Sequence, residues 1–147
     1  MPKRCQIHVK FAETVQEFNA IKELRIQVFV KEQGVPLEQE FDEYDNSAFH
    51  ALAMIDGRIA GTGRVYRMPS SEIYIGRMAV NRRHRRTGIG GMLLVVLEKK
   101  ARQLGGLKVI LHAQAYVKEF YEKHGYIEEG TPFCEANIEH IKMAKGL

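Results

Sequence analysis

The segment from Arg82 to Gly91, RRHRRTGIGG, constrains the fold most, because it joins a β-type pattern to a helical one. Before it, EIYIGRMAV (Glu72–Val80) has the pattern of a strand. After it, the run from Gly90 to Gly106 carries apolar residues at helical spacing. These are Leu93, Val96, Leu97, Ala101 and Leu104. The chain therefore passes from a strand, through a basic glycine-rich loop, into a helix that packs on a core.

The chemistry of this loop predicts an anion site. The first N–H groups of a helix have no acceptor inside the helix, and the positive end of the helix dipole attracts negative charge. Glycine lets an anion approach the backbone, and arginine adds charge-assisted hydrogen bonds. A pyrophosphate fits such a loop.

Several kinds of phosphate ligand can be excluded or disfavoured. The Walker string GxxxxGK[ST] does not occur in the sequence. A dinucleotide fingerprint needs a third small residue where Leu93 stands. Sequence-specific DNA recognition needs a helix with polar side chains, whereas the helix after the loop is mainly apolar.

Charge is distributed unevenly along the chain. The net charge is +4, yet the segment PLEQEFDEYD (Pro36–Asp45) is strongly acidic. Its acids are Glu38, Glu40, Asp42, Glu43 and Asp45. A uniformly basic nucleic-acid surface would not include such a segment. Two interpretations stay open: a solvated loop, or a surface that attracts a cationic substrate.

Length and composition limit the class of protein. A chain of 147 residues with 45% hydrophobic residues suits one domain, residues 1–147. It has no apolar run of about 20 residues and no apolar secretory signal, so we expect a cytoplasmic protein that does not enter a membrane. Cys5 and Cys134 lie too far apart for a zinc motif, which predicts buried thiols and no metal site.

The first half of the chain predicts a strand, a helix and a meander. CQIHVKF (Cys5–Phe11) alternates like a half-buried strand. A helix follows and ends before Gly34, with a capping box from Thr14 to Glu17. Two further strands flank an Asp56–Gly57 hairpin turn and lead into the strand that ends at Val80. Short connections between these strands favour antiparallel pairing.

The second half alternates between helix and strand. LKVILHA (Leu107–Ala113) is predicted to be parallel to the preceding strand, because a helix crosses between them. AYVKEFYEKHG (Ala115–Gly125) predicts a short helix, and IEHIKMA (Ile138–Ala144) a last strand. The predicted order is β-α-β-β-β-α-β-α-β, an α/β chain of the α+β type with a mixed central sheet.

Two strings resemble a known family. RRTGIG after MAV resembles the [QR]-x-x-G-x-[GA] signature of the GCN5-related N-acetyltransferases, the GNAT superfamily. FYEKHGY (Phe120–Tyr126) resembles the second familiar string of that family. RIQVFVKEQGVP, DEYD, LHAQ and HIKM further resemble its ElaA-like branch. The resemblance implies the GNAT fold, with the fourth and fifth strands splayed around acetyl-coenzyme A, and acetyl transfer to a primary amine.

The resemblance also implies which residues hold the coenzyme. The backbone of Met78, Ala79 and Val80 would hold the pantetheine arm, and an amide near Met78 would polarise the thioester carbonyl. Gln114 either contacts this arm or caps the following helix. The implied pyrophosphate ligands are Arg85, Arg86, Thr87, Gly88, Ile89, Gly90 and Gly91.

Tyr121 matches the family tyrosine that protonates the departing thiolate as general acid. A phenol of ordinary pKa, about 10, stays protonated at neutral pH. Some relatives carry a glutamate base on the fourth strand, but Gly76 and Arg77 occupy those positions here. His112 is the candidate base, with His50, His140 or water as alternatives. The candidates for acceptor binding are Glu32, Gln33, Glu40, Asp42 and His50.

Competing functions stay open at this point. The same loop suits a noncatalytic module that binds coenzyme A, or a module that binds nucleic acid nonspecifically, although the acidic segment disfavours nucleic acid. The acceptor is expected to be a small-molecule or peptide amine. A homodimer is compatible with the sequence.

Overall fold

A computed structural model describes residues 6–147, so Cys5, at the start of the first predicted strand, lies outside the described residues. Seven strands are present within this range. They are β1 (Ile7–Phe11), β2 (Phe49–Ile55), β3 (Arg58–Arg67), β4 (Ile73–Val80), β5 (Lys108–Gln114), β6 (Ile127–Glu135) and β7 (Ile138–Gly146). They form one mixed sheet in the order β1-β2-β3-β4-β5-β7-β6.

The predicted antiparallel meander is confirmed. β1 to β4 pair antiparallel in sequence order. Asp56 and Gly57 connect β2 to β3 with φ values of 50° and 77°, as a two-residue turn of this kind requires. The parallel crossover is confirmed as well, because β4 and β5 pair parallel after helix α3 (Ile89–Gln103).

The predicted order lacks one strand. β6 and β7 form a hairpin whose turn residues, Ala136 and Asn137, have positive φ values of 51° and 61°. β6 is an edge strand, is mostly exposed and contains Gly130 and Pro132, so it has no alternating apolar pattern to reveal it. Cys134 lies on this strand and is exposed, which corrects the expected buried thiol.

The first helix is divided. Its capping box between Thr14 and Glu17 is confirmed, and α1 covers Val15–Arg25. The chain then continues as a π-helix, Ile26–Glu32, called here the π segment. Side-chain periodicity did not distinguish the two, because both bury the same apolar side of the chain.

The acidic segment is not one open loop either, since it holds α2 (Leu37–Glu40) and a 3₁₀ turn, Glu43–Asn46.

The last helix is shorter than predicted: a 3₁₀ turn, Ala115–Val117, precedes α4 (Lys118–Lys123). No helix among residues 6–147 combines the length and the apolar character needed to cross a bilayer.

Helix α3 covers one face of the sheet. Its fully buried residues face the strands, and they are Ile89, Leu93, Leu94, Leu97 and Ala101. Two glycines of β3 permit this contact: a Cβ on Gly61 would lie 2.9 Å from Ile89, and one on Gly63 would lie 2.7 Å from Leu97. The other face of the sheet is left to α1, the π segment and the acidic segment.

Gly106 tests how closely the end of α3 is packed. A Cβ there would lie 2.9 Å from the Ala101 carbonyl oxygen and 2.5 Å from a terminal carbon of Ile73. Gly106→Ala should therefore lower the free energy of unfolding by about 1–3 kcal/mol. Gly146→Ala is the control, because nothing lies within 4 Å of its Cβ position. Equal urea midpoints for the two variants would show that the α3 end tolerates a methyl group.

Candidate active site

β4 and β5 separate soon after they begin to pair. Their parallel pairing is limited to Ile73 with Val109 and Tyr74 with Ile110. Further along β4, Arg77 and Met78 together oppose the single residue Gly63 of β3, which makes a β-bulge. Arg77 has a φ of 50°, an uncommon conformation for a residue other than glycine. The predicted splay of the fourth and fifth strands is confirmed, and the bulge lies where the strands diverge.

The splay opens into a cavity of about 610 Å³, called here the cavity. Its walls come from the sheet face, the π segment and the acidic segment. Six of the residues predicted from sequence line it: Glu40, Asp42, Met78, His112, Gln114 and Tyr121. The fold therefore brings the candidate acid, the candidate base and two of the predicted pantetheine contacts, Met78 and Gln114, into one space, whereas Ala79 and Val80 do not line it.

The basic loop has the geometry of an anion site. Gly88 precedes α3 with a φ of 87°, and no atom lies within 4 Å of its Cβ position. The first backbone hydrogen bond of the helix runs from Met92 N–H to the Gly88 carbonyl oxygen, at 3.1 Å. The earlier amides of Ile89, Gly90 and Gly91 have no acceptor inside the helix. Open backbone and free N–H groups thus coincide at Gly88.

Gly90 and Gly91, unlike Gly88, also permit a close packing contact. A Cβ on Gly90 would lie 2.9 Å from the Phe120 ring, and one on Gly91 would lie 2.8 Å from His124 Nε2. The absence of side chains at these two positions therefore lets α4 pack against the start of α3. The same contact positions α4, which carries Tyr121. The predicted contact of their backbone amides with a pyrophosphate is a separate matter and stays a prediction.

Two polar contacts tie the π segment to the walls of the splay. Arg85 donates from Nε to the Val80 carbonyl oxygen at 2.9 Å and from a terminal nitrogen to Glu32 at 2.7 Å. The side-chain amides of Gln33 and Gln114 donate to each other at 3.2 and 2.7 Å. Glu32, predicted to bind an acceptor, instead pairs with Arg85. Gln114 makes no capping hydrogen bond, so that interpretation of it is wrong.

The acidic segment is bound to the sheet by a network of ion pairs, called here the arginine network. Its members are Arg25, Arg64, Arg77, Glu40, Asp42 and Asp45. Arg25 contacts Glu40 at 2.8 Å and Asp45 at 2.7 Å. Arg64 contacts Asp42 at 2.6 Å and Asp45 at 2.8 Å. Arg77, on the bulge, reaches Asp42 at 3.2 Å.

Three guanidinium groups thus compensate three carboxylates. Glu40 is only 2% exposed, so neither the solvated loop nor the open cation-attracting surface describes these acids. Burial raises the pKa of Asp42 and Asp45, but hydrogen bonds and charges of Arg64 and Arg25 outweigh burial and lower both pKa values. For Glu40, burial dominates and raises the pKa in spite of Arg25.

Tyr121 is 8% exposed, and burial raises the pKa of its hydroxyl, with a smaller contribution from Tyr116. The phenol is therefore protonated throughout the physiological pH range, as a general acid requires.

Three histidines were candidates for the base, and the structure separates them. Burial lowers the pKa of His112, which keeps its imidazole neutral at neutral pH. His140 lies opposite Gln114 in the β5–β7 pairing, and its Nδ1 is 2.7 Å from the Ile138 carbonyl oxygen. A carbonyl oxygen can only accept, so Nδ1 is the nitrogen that donates in this contact, and Nε2 is left to face Glu135 at 3.8 Å. His50 does not line the cavity, because its Nε2 contacts the Asp45 carbonyl oxygen at 2.9 Å.

Sequence reasoning missed Glu135, Tyr66 and Tyr74, all of which line the cavity. Glu135 Oε2 lies 4.0 Å from His112 Nδ1 and 3.8 Å from His140 Nε2. It belongs to the unrecognised strand β6, so no sequence signal indicated it. Among residues 6–147, no group of three His, Cys, Asp or Glu side chains is arranged to hold a metal ion.

The chain is similar to known proteins over most of its length. A family model described as "Acetyltransferase (GNAT) domain" matches residues 15–147. The uncharacterised N-acetyltransferase YjcF of Bacillus subtilis (strain 168) is 39% identical over 123 residues, which are 83% of this chain and 87% of YjcF.

Two solved structures show the same fold over almost the whole chain. An acyl-CoA N-acyltransferase from Pseudomonas aeruginosa is 28% identical, with a TM-score of 0.84 and coverage of 97% of this chain and 100% of the other. Escherichia coli ElaA is 26% identical, with a TM-score of 0.83 and coverage of 97% and 99%.

The arginine network can be tested through Arg64. Arg64→Met removes the main partner of Asp42 and one of the two arginines that contact Asp45, so the free energy of unfolding at pH 7 should fall by about 3–5 kcal/mol. Both acids have lowered pKa values in the fold. Their contribution is therefore complete above the unfolded pKa of about 3.9 and is lost as the pH falls through the folded values.

Denaturant unfolding of wild type and variant across pH 2–7 measures this effect. The difference between them should shrink as the solution becomes acidic. Lys108→Met is the control, because it breaks an exposed pair with Glu129 and should cause little loss. A loss no larger for Arg64→Met than for this control at pH 7 would show that the network does not stabilise the fold.

Proposed function

The chain belongs to the GNAT acetyltransferase family, and on this basis we propose that it transfers an acetyl group from acetyl-coenzyme A directly to a primary amine. The observation that carries the proposal is the position of the open loop at Gly88. It lies at the end of the strand that separates from β5, and the space between the strands leads into the cavity with Tyr121.

The residues present fit coenzyme A. Free helix N–H groups and open backbone at Gly88 suit a pyrophosphate, and exposed arginines of the loop add positive charge. Beyond Tyr74, the β5 side of β4 has no strand partner, so backbone groups near Met78 and Ala79 are open to the amides of a pantetheine arm, while the Val80 carbonyl oxygen already accepts from Arg85. Gln114, at the opposite wall, offers a side-chain amide for the same arm.

Arg85 connects the two parts of this site. In the structure it holds Glu32 of the π segment and the Val80 carbonyl oxygen. A phosphate beside it would compete with Glu32 for the same guanidinium. Binding of the coenzyme and the position of the π segment are therefore coupled in this proposal.

When bound, acetyl-coenzyme A supplies an acetyl thioester, and transfer forms the amide N–C bond as the C–S bond breaks. Tyr121 holds the proton that the departing sulfur takes up. The amide near Met78, beside the bulge, donates to the carbonyl oxygen on which negative charge develops. The attacking amine loses one proton to a neutral imidazole, for which His112 is our candidate, or to water.

His140 is a second candidate for the base. Its Nε2 lies 3.8 Å from Glu135, the carboxylate that also lies 4.0 Å from His112 Nδ1. A proton taken by either imidazole can pass towards Glu135, whose side chain is 52% exposed. The three groups thus connect the cavity to solvent.

The pyrophosphate loop is tested by Gly88→Asp, with Gly57→Asp as the matched control. Both glycines have a positive φ, 87° and 77°, and open space at the Cβ position, so the two variants carry similar backbone strain. Only Gly88→Asp places a carboxylate at the proposed phosphate site. Its affinity for acetyl-coenzyme A should fall at least about 100-fold, or about 2.7 kcal/mol, in a calorimetric titration.

The control should bind acetyl-coenzyme A like wild type. Equal affinities for the two variants would contradict the loop assignment. A short DNA duplex titrated at two salt concentrations covers the nucleic-acid alternative, because such binding falls steeply with added salt.

Tyr121 is tested by Tyr121→Phe, which removes one hydroxyl and leaves the ring. The affinity for acetyl-coenzyme A should stay the same, while kcat should fall by about 10²–10⁴, the usual contribution of a general acid. The matched control is Tyr126→Phe, because Tyr126 is 2% exposed and donates to Glu98 at 2.8 Å rather than lining the cavity. That variant should lose stability but keep its kcat.

Turnover is measured as release of the coenzyme A thiol with a panel of primary amines. An unchanged kcat in Tyr121→Phe would remove Tyr121 as the acid. Binding of acetyl-coenzyme A without release of thiol with any amine would favour the noncatalytic module.

A further inference from the structure

Aromatic rings follow one another across the wall of the cavity. The aromatic row consists of Tyr44, Tyr66, Tyr74, His112, Phe133 and His140. Successive ring centroids are 4.7, 5.9, 5.8, 5.0 and 5.8 Å apart. All of these residues except Phe133 line the cavity. The row thus crosses the sheet from β3 to the β6–β7 hairpin.

Strand register builds the row. Tyr66 lies directly opposite Tyr74, and Phe133 lies opposite His140. Such cross-strand pairs place side chains on the same face of the sheet. Tyr44 joins from the 3₁₀ turn next to Asp45, so the arginine network fixes its place against Tyr66.

The middle of the row is shaped to take a flat ring. His112 meets Tyr74 at an interplanar angle of 86° and Phe133 at 78°. The Tyr74–His112 junction, whose two residues both line the cavity, is a corner with an aromatic face on one side and an aromatic edge on the other. A planar aromatic group prefers the same two contacts, offset stacking on a face and approach to an edge.

The charges of the cavity argue against a polycation. Glu40, Asp42 and Asp45 are already compensated by three arginines. Of the acids that line the cavity, Glu38 and Glu135 have no arginine or lysine partner within residues 6–147. Only Glu135 contacts the aromatic row, so one negative charge lies beside the rings.

The two ends of the aromatic row lie at different distances from the open part of the splay between β4 and β5. His140 pairs with Gln114, the last residue of β5, where β4 and β5 are apart. The end of the row with Glu135 and His140 is therefore nearest to the proposed thioester, while Tyr74 and Tyr66 lie farther away. An acceptor whose amine nitrogen lies at that end places the rest of its molecule along the aromatic rings.

We infer that the acceptor is an arylalkylamine, one primary amine on a planar aromatic body, and that the aromatic row together with Glu135 selects it. This inference rests on the proposed acetyl transfer. The amine nitrogen bonds to the acetyl carbon as the C–S bond breaks, its proton passes to imidazole, and the sulfur takes one proton from Tyr121.

The test compares two amines of equal chain length and one polyamine. The purified chain is assayed for thiol release with acetyl-coenzyme A and 2-phenylethylamine, 2-cyclohexylethylamine or spermidine. The two monoamines differ in the planarity of the ring. We expect kcat/KM to be about tenfold higher for 2-phenylethylamine than for either of the others.

Tyr74→Leu shows whether the row causes this preference. It keeps apolar volume but removes the central ring, so the phenyl-to-cyclohexyl ratio should fall to about one, while calorimetric affinity for acetyl-coenzyme A stays unchanged. Phe49→Leu is the matched control, an aromatic strand residue that does not line the cavity, and it should keep the wild-type ratio.

Each outcome separates the inference from the proposed function. Transfer to spermidine or 2-cyclohexylethylamine that equals or exceeds transfer to 2-phenylethylamine overturns the inference and keeps the acetyltransferase. An unchanged ratio in Tyr74→Leu also overturns it. No binding of acetyl-coenzyme A, or no thiol release with any amine, overturns both.

Discussion

The ion pairs between the acidic segment and the sheet determine the shape of the site. Arg77 has the central position, because its backbone makes the bulge on β4 and its side chain reaches Asp42 and the Glu40 carbonyl oxygen. The same network thus holds one wall of the cavity and the point where β4 leaves β5. Burying this many charges costs desolvation energy, so its clearest effect is to fix geometry.

The glycines of the glycine-rich loop serve both helix packing and the open backbone of the proposed anion site. Gly90 and Gly91 are in contact with Phe120 and His124, whereas Gly88 faces open space. One short stretch therefore positions α4, with its tyrosine, and leaves helix N–H groups free for an anion. The two requirements meet because the loop begins α3, and α3 covers the sheet.

The π segment connects the remaining parts. Glu32 contacts Arg85 on the loop, and Gln33 contacts Gln114 at the end of β5. These residues were predicted to bind an acceptor, yet in the structure they join the two walls of the splay. A bound coenzyme would lie between the same walls. The contacts of Glu32 and Gln33 therefore affect how closely the two walls surround the coenzyme.

The sequence by itself determined the elements whose signal is local. The capping box at Thr14, the Asp56–Gly57 turn, the strand–loop–helix unit at Gly88 and the crossover to β5 all follow from neighbouring residues, and the structure has each of them. Only the tertiary structure decided β6, the arginine network and the aromatic row. β6 has no apolar alternation, since an edge strand buries little, and its hairpin forms by pairing with β7. The network joins residues up to 37 positions apart, and the row joins five strands and a turn, so both depend on register and on the bulge, which no short stretch of sequence specifies.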